Sequence, residues 1–268
     1  MTLRALYVDL DGTLLGRAAS LLRDGEGRFS LLGARALEAC ARAEVEVVPY
    51  SGRRRSSLFS DARLLGCPAY IFEAGCGLVI DGELEWLTGD LLPRENATIH
   101  AQITASGAPE LLLSTFAGQL EYHDPWHLDR DVSHLFRGDV DAMQADELLT
   151  ARGLGHLRLV DNGMISLPGK RAYHLIPTVA SKGRAVARHM QARGYVREEC
   201  IAVGDSREDL TAAGAVGTFW FVANALERDP AIREALAGVA NARVAEESYG
   251  AGVYEAVVTT LAEHRSDA

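Results

Sequence analysis

A short apolar run from Ala5 to Leu10 leads into a helical pattern from Leu31 to Ala43 and then a compact β-branched run from Val45 to Tyr50. Strand, helix, strand in that order is the pattern of a parallel sheet, whose neighbouring strands need a crossover rather than a hairpin. A helix after Arg53 and a strand from Ala69 to Phe72 continue the alternation. Between the first strand and first helix, residues 20–30 carry two Gly-containing dipeptides and read as a hairpin or flap. From about Gly75 the alternation lapses. Asp81-Gly82 between Leu78-Val79-Ile80 and Glu83–Leu87 predicts a hairpin. Asn162-Gly163 between Leu157–Asp161 and Met164–Leu167 predicts a second, with Tyr173–Ile176 as a further strand.

Alternation then resumes. Ser181 opens a helix through Tyr195, and strands at Cys200–Val203 and Gly217–Val222 flank a helix beginning at Glu208. Pro230 suits the first turn of a helix to about Ala237, and Gly252 to His264 gives an amphipathic terminal helix. The predicted fold class is α/β: a Rossmann-like parallel-sheet core made of residues 1–82 and 176–268, with an inserted α+β domain over residues 83–175.

Composition narrows the function. With 268 residues, 48% of them hydrophobic and 24% charged, the chain is long enough for two cores and has no bias toward disorder. A net charge of −10 removes any general electrostatic drive toward nucleic acid or anionic lipid. Taken alone, that charge also points to a neutral or cationic substrate. Cys40, Cys67, Cys76 and Cys200 are scattered without metal-ligand spacing and read as free thiols in a reducing compartment. The N-terminus meets Asp9 before a signal-peptide apolar stretch develops, and no segment has the roughly 18–20 apolar residues of a membrane span. The expectation is a soluble cytoplasmic protein without nucleic-acid or membrane partners.

In an open parallel sheet, reactive groups gather at the carboxyl ends of the strands. Asp9-Leu10-Asp11-Gly12-Thr13 stands at the end of the first strand, and Tyr50-Ser51-Gly52-Arg53 at the end of the second. Lys182 stands at a helix start, where a cation opposes the macrodipole and calls for another reason. Val203-Gly204-Asp205-Ser206-Arg207-Glu208-Asp209 places several acids after a later strand. Neighbouring strands would bring these acids onto those of the first loop, and clustered oxygen ligands favour Mg²⁺.

These four strings resemble, in order and strand context, the four motifs of the haloacid dehalogenase superfamily, and the resemblance spans the whole chain. The insert between the second and third is similar to the large α/β cap of its Cof-type and sugar-phosphatase branch. Phe72-Glu73-Ala74-Gly75 and Ser248-Tyr249-Gly250-Ala251-Gly252-Val253 are weaker matches to the same branch.

The resemblance implies a Mg²⁺-dependent phosphomonoesterase that acts on a small phosphorylated metabolite of the sugar phosphate or glycosyl phosphoglycerate type. The alternatives are a phosphomutase of the same superfamily, resembling phosphomannomutase, or a non-catalytic phosphate-binding module. It implies that Asp9 is the nucleophile, forming an aspartyl-phosphate, and that Asp11 is the general acid and then base. Ser51 and Lys182 stabilise the transferring group, with Thr13, Gly52 and Arg53 on the substrate. Mg²⁺ falls to Asp9, the Asp11 carbonyl, Asp205 and Asp209. Glu208 replaces the Asn of many relatives and adds negative charge beside the metal. Candidate readers of the leaving group in the insert are His123, Asp124, Trp126, His127, His134, Arg137 and Asn162. Arg54 and Arg55 read as solvated residues at a helix start.

Overall fold

The computed structural model describes residues 2–165 and 167–266. The chain opens with β1 (Ala5–Val8), α1 (Leu32–Arg42), β2 (Glu46–Pro49), α2 (Arg55–Leu65) and β3 (Ala69–Phe72). It continues through β4 (Gly77–Ile80), β5 (Glu83–Trp86), α3 (Ile99–Ala105), α4 (Ala108–Thr115), β6 (Leu120–Tyr122), β7 (His134–Gly138), α5 (Ala142–Ala151), β8 (Leu157–Met164) and β9 (Arg171–Pro177). It closes with α6 (Lys182–Arg193), β10 (Cys200–Gly204), α7 (Arg207–Leu210), β11 (Thr218–Phe221), α8 (Ala223–Arg228), α9 (Ile232–Leu236), β12 (Ala242–Val244) and α10 (Tyr249–Ser266).

β1 is buried along its whole length and sits between β10 and β2 in a five-stranded parallel sheet ordered β12-β11-β10-β1-β2. Apolar runs buried on both faces suit such a sheet, which is covered by helices on each side. Val8 is in register with Val203 of β10 and with Pro49 of β2. The three loops that follow these strands therefore leave the sheet side by side. After a 3-10 turn at Arg17–Ala19, residues 20–30 fold back on themselves as a flap, with one antiparallel bridge from Arg23 to Phe29.

The inserted α+β cap has its own core. Its antiparallel sheet runs β6-β7-β9-β8, and Phe136, Leu159, Tyr173 and Leu175 of the sheet are buried with Ile99, Ile103, Leu112 and Leu149 of the helices. The hairpin β4–β5 turns at Asp81-Gly82 as expected. It extends β3 into a three-stranded sheet, so strand pairing continues across residues 82 and 83, while β9 runs on to Pro177.

Asn162-Gly163 is not a hairpin turn. β8 runs through it, and the pairing with β9 slips by one residue between Asp161 and Met164. The two residues form a bulge, a second use for the backbone freedom that makes Asn-Gly a turn former. The strand expected over Met164–Leu167 is absent beyond Met164, and Ser166 lies outside the described residues. The four cysteines are free, three of them buried. Among the described residues no helix is long and apolar enough to cross a membrane.

Candidate active site

Parallel pairing of β1 with β10 brings two acidic loops together. The Asp9 amide donates to the Val203 carbonyl at 3.0 Å, and one carboxylate oxygen from each of Asp9, Asp205 and Asp209 falls within 4.8 Å of the others. Gly12 makes the approach possible. Its φ is +89°, and a methyl group there would collide with the Asp205 carboxylate and the Arg228 guanidinium.

Lys182 explains its unfavourable place at the start of α6 by what its ammonium reaches. It is buried, and Nζ lies 2.9 Å from Asp9 Oδ1 and 2.6 Å from Asp209 Oδ1. Burial opposes its charge, but Asp209 and Asp9 outweigh that and raise its pKa. Burial lifts the Asp9 carboxyl well above the usual range against the pull of Lys182, with Asp209 and Asp205 adding to the rise. Asp205 is pushed up to about 7 by burial and by Asp209. Asp209 is held by its second oxygen, which accepts from the Asp205 and Ser206 amides and the Ser206 hydroxyl at 3.1, 2.9 and 2.7 Å.

The buried Asp9 and Asp209 and the partly buried Asp205 face two cations, Lys182 and Arg228, whose NH1 lies 3.1 Å from Asp205 Oδ2. Burial and mutual repulsion work against the ionised forms of Asp9 and Asp205, and a further cation would favour them. The donors are all hard oxygens, so the set suits a divalent ion such as Mg²⁺.

Asp11 points away from this cluster and is half exposed. Arg53 grips both its oxygens at 2.7 Å and also reaches Asp61 at 2.7 Å. Ser51 is buried, and its hydroxyl accepts from the Arg53 amide at 3.2 Å. The buried Thr13 hydroxyl turns toward Asp205 Oδ1, 3.5 Å away, so it supports the acidic loop rather than facing outward. Arg54 and Arg55 are partly solvated, as expected at a helix start, but are also paired across to the cap. Arg54 donates to the Leu128 carbonyl and Asp129, and Arg55 to Asp131, so the basic run ties α2 and its approach to the cap.

The cap sits directly on these loops. A Cβ built on Gly52 would lie 2.6 Å from His174 Nε2 and 2.8 Å from Asn162 Nδ2, while one on Gly163 would lie 3.1 Å from Ser206 Cβ. The bulge in β8 thus covers both the second and the fourth loop. Arg130, buried, donates to the Gly52 carbonyl at 3.0 Å. Glu208 does not face the acidic cluster as expected: it accepts from the Lys182 amide and from Arg158 of β8, each at 3.2 Å, capping α6 and pairing with the cap.

Of the other cap candidates, Trp126 is 62% exposed and Arg137 pairs with Glu121 at 2.7 Å. His127 lies 3.8 Å from Asp124 and stacks on Tyr122, and His134 is buried in a stack with His100. The His123 amide donates to Leu135 of β7, and neither His123 nor His127 joins a cluster of three metal-ligating groups among the described residues. Arg228, Arg130 and His174 join the site without a sign in the sequence. None belongs to a local motif, and each reaches the site from an element distant in sequence. Glu73 was visible as part of Phe72-Glu73-Ala74-Gly75, but not its partners: it is buried and accepts the amides of Asp131, Val132 and Ser133 at 2.9, 3.2 and 2.6 Å.

A scan against protein-family models returns no match. The chain is 30% identical over 231 residues to a phosphoglycolate phosphatase of Halorubrum lacusprofundi, covering 86% of this chain and 87% of the relative. It is 28% identical over 260 residues to a phosphoglycolate phosphatase of Methanothermobacter thermautotrophicus, covering 95% and 97%. The fold is that of the sucrose-phosphatase of Synechocystis, with a TM-score of 0.66 at 18% identity over 97% of this chain and 98% of that one. A superfamily phosphatase of Bacteroides thetaiotaomicron gives 0.65 at 18% identity over 97% and 95%. With this kinship joined to four loops converging on one acidic cluster, the chain belongs to the haloacid dehalogenase superfamily, as a phosphoric monoester phosphatase.

Proposed function

We propose that the protein hydrolyses a small phosphorylated hydroxy acid, of the phosphoglycolate and phosphoglycerate class, with Mg²⁺ as its cofactor and Asp9 as its nucleophile. The observation that carries this reading is the meeting of Asp9, Asp205 and Asp209, with Lys182 Nζ on Asp9 and Asp209. Two further facts favour a small leaving group over a sugar: the names of the relatives, and the tight approach of His174 and Asn162 to Gly52.

Asp9, Asp205, Asp209 and the Asp11 carbonyl would hold the metal, which when bound supplies positive charge that offsets carboxylate–phosphate repulsion. An Asp9 oxygen forms a bond to phosphorus as the ester P–O bond breaks, its electron pair leaving on the ester oxygen. Asp11 gives that oxygen its proton, then takes one from the water whose oxygen displaces Asp9 from phosphorus. To do so Asp11 turns off Arg53, which holds both its oxygens at 2.7 Å and afterwards receives it again. Ser51, Gly52 and Arg53 line the phosphoryl side, Thr13 steadies the acidic loop from behind, and Lys182 offsets the charge of Asp9. With this reading goes a division into a catalytic core of residues 1–82 and 176–268 and a specificity cap of residues 83–175, the crossings lying a few residues later where β5 and β9 end.

Phosphate release is measured on phosphoglycolate, phosphoglycerates, sugar phosphates and nucleotides, with Mg²⁺ or with chelator. The expected result is release from the small acids, its loss in chelator, and at least about a thousand-fold loss in Asp9→Asn. Activity surviving Asp9→Asn overturns the nucleophile, and an isomerised ester without free phosphate makes the protein a mutase.

A further inference from the structure

His174 lies in β9, buried, with its two ring nitrogens in different surroundings. Nδ1 is 3.3 Å from Ser133 Oγ. That hydroxyl donates its one hydrogen to Glu73 Oε2 at 2.8 Å and accepts from Arg130 NH1 at 2.9 Å. Its remaining lone pair accepts, so the hydrogen between Ser133 and His174 belongs to Nδ1. Nε2 is then a bare acceptor, and it is the atom aimed at Gly52. Burial, reinforced by Arg130 and Lys182, holds the ring neutral by depressing its pKa well below the usual histidine range. Asn162 turns Nδ2, a donor, toward the same spot, while its buried Oδ1 has no protein partner. An acceptor and a donor thus stand together over the loop between Ser51 and Arg53.

We propose that His174 and Asn162 select the leaving group by binding a free hydroxyl beside the phosphate ester, which donates to His174 Nε2 and accepts from Asn162 Nδ2. The inference deepens the phosphatase reading and rests on it; within the class of small acids it ranks phosphoglycerates, which keep a free hydroxyl, above phosphoglycolate, which has none. Ser133 and Glu73 are positioning residues, since the core carboxylate orders the cap hydroxyl and the hydroxyl sets the tautomer of His174. A site built to hydrogen-bond a hydroxyl discriminates strongly against the analogue without it, because its own buried polar atoms are left unpaired.

The test compares 3-phosphoglycerate with 3-phosphooxypropanoate, the same acid lacking the hydroxyl. The full-length protein with Mg²⁺ should favour the hydroxylated ester by about 10–100-fold in kcat/KM, mostly through KM. His174→Phe and Asn162→Leu should bring the ratio to within about three-fold of unity, their folding checked by thermal melts. Independently, ¹⁵N spectra of Asp9→Asn should show His174 protonated at Nδ1 and its Nε2 signal shifted by 3-phosphoglycerate, with the Nδ1 preference lost in Asp9→Asn/Ser133→Ala. A hydroxyl preference retained in folded His174→Phe, or His174 protonated at Nε2, overturns the proposal. No phosphate release from any ester by the unmutated protein overturns the phosphatase reading and this one together.

Discussion

Gly12 shows how much of the site depends on single atoms. Its left-handed backbone and the closeness of Asp205 and Arg228 leave no place for a side chain. Gly12→Ala should cost about 1–3 kcal/mol of stability and at least ten-fold in phosphate release, read by denaturant titration and by the same release assay. At this scale much of the site was legible. Asp9, Asp11, Ser51, Lys182, Asp205 and Asp209 stand within a few residues of a strand end or a helix start, so local strings announce them. Arg228 and His174 had no such sign. Arg228 matters because α8 returns its guanidinium to Asp205, and His174 because β9 lies over Gly52. Glu208 was visible, but its side chain turned to the α6 amide and Arg158, a choice made by packing.

Among the elements, β8 is where periodicity misled. Asn162-Gly163 satisfies hairpin chemistry, and only pairing with β9 along Leu157–Asp161 decides that the chain continues with a bulge. The cost of that continuation places Asn162 and Gly163 on the two loops they touch. β7 makes a separate prediction. Burial, with His100 beside it, depresses the pKa of His134 to about 4, so the folded cap holds this ring neutral. The unfolded chain binds the proton first, near pH 6.5, so the stabilisation is complete above that pH and is lost as pH falls toward 4. Denaturant titrations should show a loss of about 2–3 kcal/mol across that window, and His134→Phe should flatten it. An unchanged slope would show that His134 is already charged in the fold.

At the scale of the whole molecule, core and cap are joined largely through arginines. Arg54 and Arg55 reach Asp129 and Asp131, Arg158 reaches Glu208, and Arg207 reaches Asp161. Arg171 pairs with Asp161 and Asp229, and Arg228 donates to the Met164 carbonyl. Planar guanidinium groups suit such partly buried, forked contacts. Closure held this way is weakened by salt where the pairs are exposed. Arg171→Met should raise KM about three- to ten-fold and lessen its rise between low and high ionic strength, with the acidic cluster untouched. Steady-state kinetics at two salt concentrations decide it, and an unchanged KM would show that these ties do not hold the cap down.

The net charge of −10 illustrates the division between chain and fold. By itself it suggested a neutral or cationic substrate, yet several of those acids are gathered with Lys182 and Arg228 into a cluster that suits a metal. The sequence alone determined the alternation of strands and helices, the interruption by an α+β insert, and the acids, serine and lysine at strand ends and a helix start. Those are local properties, written in apolar periodicity and short strings. Packing in three dimensions settled which loops became neighbours, that Asn162 and His174 face Gly52, and that Glu73 reaches Ser133 in the cap. Those contacts join residues tens to hundreds of positions apart, and close packing and the pairing of buried polar groups fix them.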